Sequence, residues 1–325
     1  MRVRRNREER RILLSQEGYI EKVLRAFNME EEAKTNKPRT PAARSVKLSA
    51  SDCVDYGDKR MPWPYRELVG SLLYACNTRP DIQYAVGVLT RFCKGPCKAH
   101  WKAAKRVLLY LAATKDIALR LGGGSRVAIW GYTDSDWGGE NAKPTDQHRS
   151  TSGGLILCSD GCIWWHSRLQ KYTALSSTEA EYVSFAETAI GYREGSRSSK
   201  IYACAKNLVN ILSLRTILEE LGFPQDRVFP DGTPLLEDNR GAFCAQRNPI
   251  NKNLRHVNRR VHRIRQAIED KSIKPDLVST KFMLADIFTK NLPDGEFIKA
   301  RDLVMGNTND PKPGVPEWVK EGLSD

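Results

Sequence analysis

Acids that close apolar segments are the residues best placed to do chemistry in this chain. Asp134 ends the apolar stretch that passes through Val127, Ile129, Trp130 and Tyr132, and Glu181 lies just inside a segment continuing through Tyr182, Phe185 and Ala189. Asp238 follows Leu235, Leu236 and Glu237, and Asp286 follows Leu284 and Ala285. An ionised acid beside buried apolar surface is costly unless a positive charge compensates it. Four such acids brought together would repel one another. A hard cation removes the repulsion: Mg2+, with Mn2+ as its substitute, held as two ions about 3.5–4 Å apart, one activating water and the other stabilising the leaving oxygen of a phosphodiester. Taken singly, each acid fits a helix cap or a solvated strand end, so the joint pattern carries the reading.

The elements that must position these acids follow from a change of period. Strands are expected at 127–132, 154–158 and 162–166, joined as a meander, with Ser159-Asp160-Gly161 as a hairpin turn. Ser176, Ser177 or Thr178 then caps a helix through Glu181, and a fourth strand at 234–237 leads to Asp238. A basic helix at 254–269, a strand at 276–279 and a final helix from about Met283 complete a mixed α/β sheet flanked by helices. The first 120 or so residues read as helical instead. Tyr19, Ile20, Val23, Leu24 and Phe27 form one apolar stripe at helical spacing, and Trp101, Ala104, Val107, Leu108 and Leu111 form another. Gly122, Gly123 and Gly124 end that unit, and the tail beyond Pro293, marked by Pro311, Pro313 and Pro316, reads as loose.

Composition narrows the partner. A chain of 325 residues with 40% hydrophobic and 28% charged residues is not fibrous or collagen-like, and 52 Lys and Arg against 39 Asp and Glu, a net charge of +13, favour a polyanion over a small neutral substrate. No apolar run is long enough to span a membrane, and the first eleven residues, with six Arg and two Glu, do not resemble a secretory signal. An intracellular protein, cytoplasmic or nuclear, is expected. The eight scattered cysteines fit reduced thiols. Cys93, Cys97 and His100, and Cys158, Cys162 and His166, are conceivable zinc ligands, but neither set has paired C-x2-C spacing, so buried thiols are expected.

Several motifs, in order, carry a family resemblance. Tyr132-Thr133-Asp134-Ser135-Asp136-Trp137, Arg149-Ser150-Thr151-Ser152-Gly153, Ala174-Leu175-Ser176-Ser177-Thr178-Glu179-Ala180-Glu181-Tyr182, Glu237-Asp238-Asn239 and Leu284-Ala285-Asp286-Ile287-Phe288-Thr289-Lys290 resemble the ribonuclease H domain of copia-type LTR retrotransposon polyproteins. Upstream, Tyr65-Arg66-Glu67-Leu68-Val69-Gly70, Thr78-Arg79-Pro80-Asp81-Ile82 and His100-Trp101 resemble the segment joining that family's polymerase to its nuclease. The resemblance implies a ribonuclease H-like five-stranded domain at 123–293, a mostly helical thumb or connection remnant of reverse transcriptase at 1–122, and a tail at 294–325. It also implies that Asp134, Glu181, Asp238 and Asp286 are catalytic metal ligands. Asp136 and Glu179 are their near neighbours; residues two apart on a helix do not share a face, so Glu179 and Glu181 cannot both serve the same metals.

The implied reaction is Mg2+-dependent hydrolysis of the RNA strand of an RNA–DNA hybrid, chosen through 2′-hydroxyl contacts across a wide minor groove. Lys252, Arg255, Arg259, Arg260 and Arg263 are expected to contact phosphates, and His256 or His262 to assist proton transfer. The polymerase signature Tyr-x-Asp-Asp is absent, so a polymerase domain would come from another chain. An insertion at about 191–213 separates Glu181 from Asp238. The competing reading is a nuclease-dead remnant that binds nucleic acid. A substitution among the four acids would have favoured it, and there is none. An integrase shares the fold, but the acid order Asp, Glu, Asp, Asp and the absence of a His-His-Cys-Cys module argue against it.

Overall fold

The computed structural model describes residues 1–44, 46, 48–49, 63–123, 126–138, 149–159, 161–191, 210–247 and 258–307, with the backbone alone at 247 and 258–261. The chain starts with a hairpin: β1 (Arg2–Asn6) pairs antiparallel with β2 (Arg11–Ser15). Helices follow. α1 (Glu17–Ala26) buries Ile20, Val23 and Leu24 along one stripe, and α2 (Glu30–Thr35) is short and polar. α3 (Tyr65–Ala75) buries Leu68, Val69 and Leu72, while α4 (Gln83–Thr90) follows a 3-10 turn opened by Pro80, whose missing N–H costs nothing at a first-turn position. α5 (Lys98–Ala113) buries Val107, Leu108 and Leu111. Then β3 (Leu119–Gly122) adds to β2, completing a small three-stranded sheet.

That sheet is an addition to the mostly helical region expected here, whose helices are present. Arg-rich β1 lacks the apolar alternation that marks a strand, because neither of its sides is buried.

The larger sheet positions the acids. β4 (Ile129–Asp136) is buried along its whole length because it lies third in the order β6-β5-β4-β7-β8, with β5 (Thr151–Cys158) and β6 (Gly161–Leu169) forming the expected antiparallel meander. β7 (Thr233–Glu237) and β8 (Ile273–Leu277) run parallel to β4 and to one another. One face is covered by α6 (Ser177–Ile190), α7 (Ile211–Glu220), α8 (Arg240–Arg247) and α9 (Asn258–Glu269), where Tyr182, Phe185, Ile211, Leu235 and Ile264 pack together. On the other face a second apolar cluster runs without a break from Ile20, Leu72 and Leu108 to Trp130, Leu157 and Phe288, so the core is continuous across the Gly122–Gly123 punctuation. This is a mixed five-stranded ribonuclease H-like sheet with flanking helices, preceded by a small, mostly helical region.

Two expectations about the C-terminal part are revised. Where a helix was expected from Met283, a 3-10 turn spans Leu284–Phe288. Where the tail was expected to be loose, α10 (Asp294–Met305) is ordered against the core, burying Phe297, Ala300, Leu303 and Val304. The Phe297 ring lies 5.9 Å from that of Tyr110, edge-on. Tyr110 in turn donates to Asp81 at 2.5 Å, and Asp81 is clamped by Arg79 through bonds of 2.9 and 2.7 Å. Fork-to-fork geometry satisfies that buried ion pair, and the Arg79 guanidinium is further held by Thr114.

Neither cysteine cluster forms a metal site among the described residues. The His100 Nδ1 accepts from the Cys97 backbone N–H at 3.1 Å as part of the α5 cap, and the six described cysteines are free thiols. Phe297→Ala should cost about 3–5 kcal/mol in denaturant unfolding, the scale of an emptied aromatic core position. A loss below about 1 kcal/mol would show that α10 is not part of this core.

Candidate metal centre

Three elements bring their acids to one end of the large sheet. Tyr132 of β4 is level with Leu236 of β7, so two residues further on Asp134, which lies within β4 instead of ending it, and Asp238, just past β7, arrive side by side. Glu181 comes from the first turns of α6. Ser176 caps that helix by accepting from the Glu179 N–H at 3.2 Å, and the Glu179 carboxylate reaches back to the Leu175 N–H at 2.8 Å. Glu179 is thus occupied with the cap, while Glu181 faces the sheet. Ser184, one turn later, presses α6 onto the strands: its hydroxyl lies 2.7 Å from the Asp134 carbonyl and 3.1 Å from that of Gly153, and accepts from Thr133 at 2.9 Å.

Asp134, Glu181 and Asp238 each offer a carboxylate oxygen, and these oxygens lie within 4.8 Å of one another. No other such group of three His, Cys, Asp or Glu side chains occurs among the described residues. Asp286 stands at the edge of the trio. Its turn packs beside Asp134 because the residue opposite Asp134 on β5 is Gly153, where a Cβ would come within 2.8 Å of Phe288 and 2.6 Å of Thr289. From that turn Thr289 donates a short hydrogen bond to Asp134, and Lys290 pairs with Asp286 at 2.9 Å.

The electrostatics are those of acids deprived of water. Burial, then Asp134, then Asp238 hold the Glu181 carboxyl well above the usual carboxylate range, despite a hydrogen bond from the Ser135 backbone. Burial and the charge of Asp134 raise Asp238 and Asp286 as well. The neighbouring acids raise the Lys290 ammonium against the opposing effect of burial. One Glu181 oxygen, Oε2, is buried without a hydrogen-bond partner. Oxygen donors from three elements with an orphaned carboxylate oxygen among them fit a hard divalent cation.

The other expected site residues lie elsewhere. Lys252, Arg255 and His256 lie outside the described residues, and Arg259 and Arg260 are described by backbone alone within α9. Arg263 and His262 are exposed on α9, and His262 is not part of the acid group. Most of the insertion at about 191–213 also lies outside the described residues, while Asn210 caps α7 by accepting from Ser213 at 2.9 Å. Sequence reasoning assigned no role to Ser184, Thr289, Lys290 or the fully buried Glu237, whose carboxyl is raised chiefly by burial. An acid ending the apolar run Leu235-Leu236 was the available signal for Glu237.

Acids raised in the fold hold protons that the unfolded chain has already released, so metal-free stability falls as pH climbs from the ordinary carboxylate range through the raised values. In chelator, Glu181→Gln should therefore melt a few degrees above the native chain at pH 8, with the two converging near pH 5. Equal melting temperatures at pH 8 would show that Glu181 is not held in this environment.

No family model matches the chain. Among curated proteins it is 37% identical over 316 residues to the retrovirus-related Pol polyprotein from transposon TNT 1-94 of Nicotiana tabacum, covering 95% of this chain and 21% of that one. It is 35% and 36% identical over 282 residues to the corresponding polyproteins from transposons RE2 and RE1 of Arabidopsis thaliana, covering 86% of this chain and 17% of each. The chain thus spans about a fifth of the length of these relatives. With similarity along nearly all its length, and with the acid trio at the end of a ribonuclease H-like sheet, the chain belongs to the copia-type LTR-retrotransposon Pol polyproteins, of which it is a fragment with a ribonuclease H-like C-terminal domain.

Proposed function

We propose that this chain is a divalent-metal-dependent ribonuclease H, an endonuclease that hydrolyses the RNA strand of RNA–DNA hybrids. The observation that carries the reading is the convergence of Asp134, Glu181 and Asp238 within 4.8 Å at the end of the sheet, with Asp286 beside them. These acids would hold Mg2+, as two ions, or Mn2+ in its place. When bound, the metal supplies an activated water and neutralises charge on the scissile phosphate and the leaving 3′ oxygen.

The chain's own groups do the positioning. Asp134 is fixed from two sides, by Thr289 on its carboxylate and Ser184 on its carbonyl, so its remaining carboxylate lone pairs are aimed before any ligand arrives. The rigid α6 cap fixes the start of the helix that presents Glu181. Lys290 keeps Asp286 neutralised at the rim. Discrimination for RNA would come from contacts with 2′-hydroxyls across the minor groove. Lys252, Arg255, Arg259, Arg260 and Arg263 are assigned to the phosphate backbone, and His256 or His262 to proton transfer.

The test is cleavage of an end-labelled RNA–DNA hybrid with Mg2+. Asp134→Asn and Glu181→Gln should each lower kcat/KM on the order of 10²–10³-fold or more, the scale of losing one electrostatic stabiliser of the transition state, while leaving hybrid binding within a few-fold. A native chain that binds the hybrid and leaves it uncut would contradict the reading and identify a binding remnant.

A further inference from the structure

Four arginines share one face of the small sheet. The register sets Arg4 opposite Leu13 and Leu13 opposite Arg120, while Arg2 pairs with Ser15 and Arg11 with Gly122. Cross-strand partners point to the same side and side chains alternate along each strand, so Arg2, Arg4, Arg11 and Arg120 all rise around Leu13, with Val3 and Arg5 on the reverse. Arg2 and Arg4 are exposed, and Arg11 and Arg120 are half-buried. Arg11 lies across the glycine turn that ends β3: a Cβ at Gly123, whose φ is +101°, would sit 2.4 Å from its Nε. Among the described residues one acid pairs with any of the four, Glu9, at 3.4 Å from Arg11. None of the four faces another directly, but together they gather positive charge on one face, and planar guanidinium groups suit phosphate oxygens.

The place of this face relative to the acids gives the inference its content. A Cβ on Gly161, the first residue of β6, would come 2.8 Å from the Leu121 Cα, so β3 abuts the start of β6. The far end of β6, Leu169, pairs with Thr151, which pairs with Asp136 beside the acid group. The arginine face and the acids therefore lie at opposite ends of the same strands. Asp134 is level with Gly153 and so with Ser167, six residues along β6 from Gly161, which at about 3.3 Å per residue puts the two roughly 20 Å apart along the strands. With an A-form-like rise of about 2.8 Å per base pair in a hybrid, that is roughly seven base pairs.

We propose that the face formed by Arg2, Arg4, Arg11 and Arg120 grips the phosphate backbone of the same duplex whose scissile strand lies at the acids, roughly seven base pairs away. This rests on the ribonuclease reading for the position of the cut, so the experiment measures binding alone. The full chain carrying Asp134→Asn is titrated into labelled RNA–DNA hybrids of twenty base pairs and of six base pairs closed by a hairpin loop. The titrations are repeated with Arg2, Arg4 and Arg120 changed to Ala, and with the exposed Lys22, Arg25 and Arg39 changed to Ala as a charge-matched control. The arginine-face variant should bind the long hybrid at least about tenfold more weakly, with the salt slope reduced by about two to three, and the short hybrid within about twofold of the parent. A loss no greater than the control's, or equal losses on both lengths, would overturn the proposal. Length-dependent binding by a native chain that does not cut would leave the arginine face standing and remove the ribonuclease reading alone.

Discussion

Holding carboxylates together where water is scarce is the constraint on which this end of the molecule depends. Two unit charges at the 4.8 Å limit of the Asp134, Glu181 and Asp238 group repel by about 3–4 kcal/mol at an effective dielectric constant near 20, before any cost of burial. Burial, and then the charge of Asp134, raise the proton affinity of Glu181, Asp238 and Asp286, and donors offset part of the cost: Thr289 on Asp134, the Ser135 backbone on Glu181 and the Lys290 ammonium on Asp286. One buried Glu181 oxygen still has no partner. Surrounding structure that enforces such an arrangement, instead of relaxing it, is compatible with binding of a divalent cation.

The enforcement can be traced to small residues as much as to the acids. Gly153 lets the Leu284–Phe288 turn approach the sheet at the level of Asp134, and Ser184 binds α6 to β4 and β5 at that same level. The turn is braced from behind by α10 and by the Arg79, Asp81 and Tyr110 network of the helical region. A continuous apolar cluster joins these parts, so residues far outside the large sheet contribute to holding Asp286 and Lys290 in place. Stability and site geometry are coupled through that shared core.

The clustering acids Asp134, Glu181 and Asp238 and the three-stranded meander were legible because both leave strong local marks. Acids ending apolar runs stand out, and the apolar run Leu155-Ile156-Leu157-Cys158 is closed by a turn before Cys162. The Ser176 cap was legible to within its neighbours, because a hydroxyl followed three residues later by Glu is a helix-start pattern. What escaped was set by tertiary contact. β1 is a strand whose Arg2, Arg4 and Arg5 bury no apolar face, so its pairing with β2 leaves no apolar periodicity. α10 has its buried residues at Phe297, Ala300, Leu303 and Val304, a helical pattern overshadowed by the proline-marked stretch that follows. Lys290 lay within a quoted motif, yet its ion pair with Asp286 depends on the turn that Gly153 admits.

The central claim is that the acid group is a divalent-metal site, and calorimetric titration of the native chain with MgCl2, repeated in buffers of different ionisation enthalpy, tests it most directly. Because the site acids carry raised affinities for protons, binding at pH 7 should release protons into the buffer, and Glu181→Gln should abolish or greatly weaken the isotherm. A native chain that takes up no Mg2+, or one that binds it unchanged after Glu181→Gln, would contradict the account.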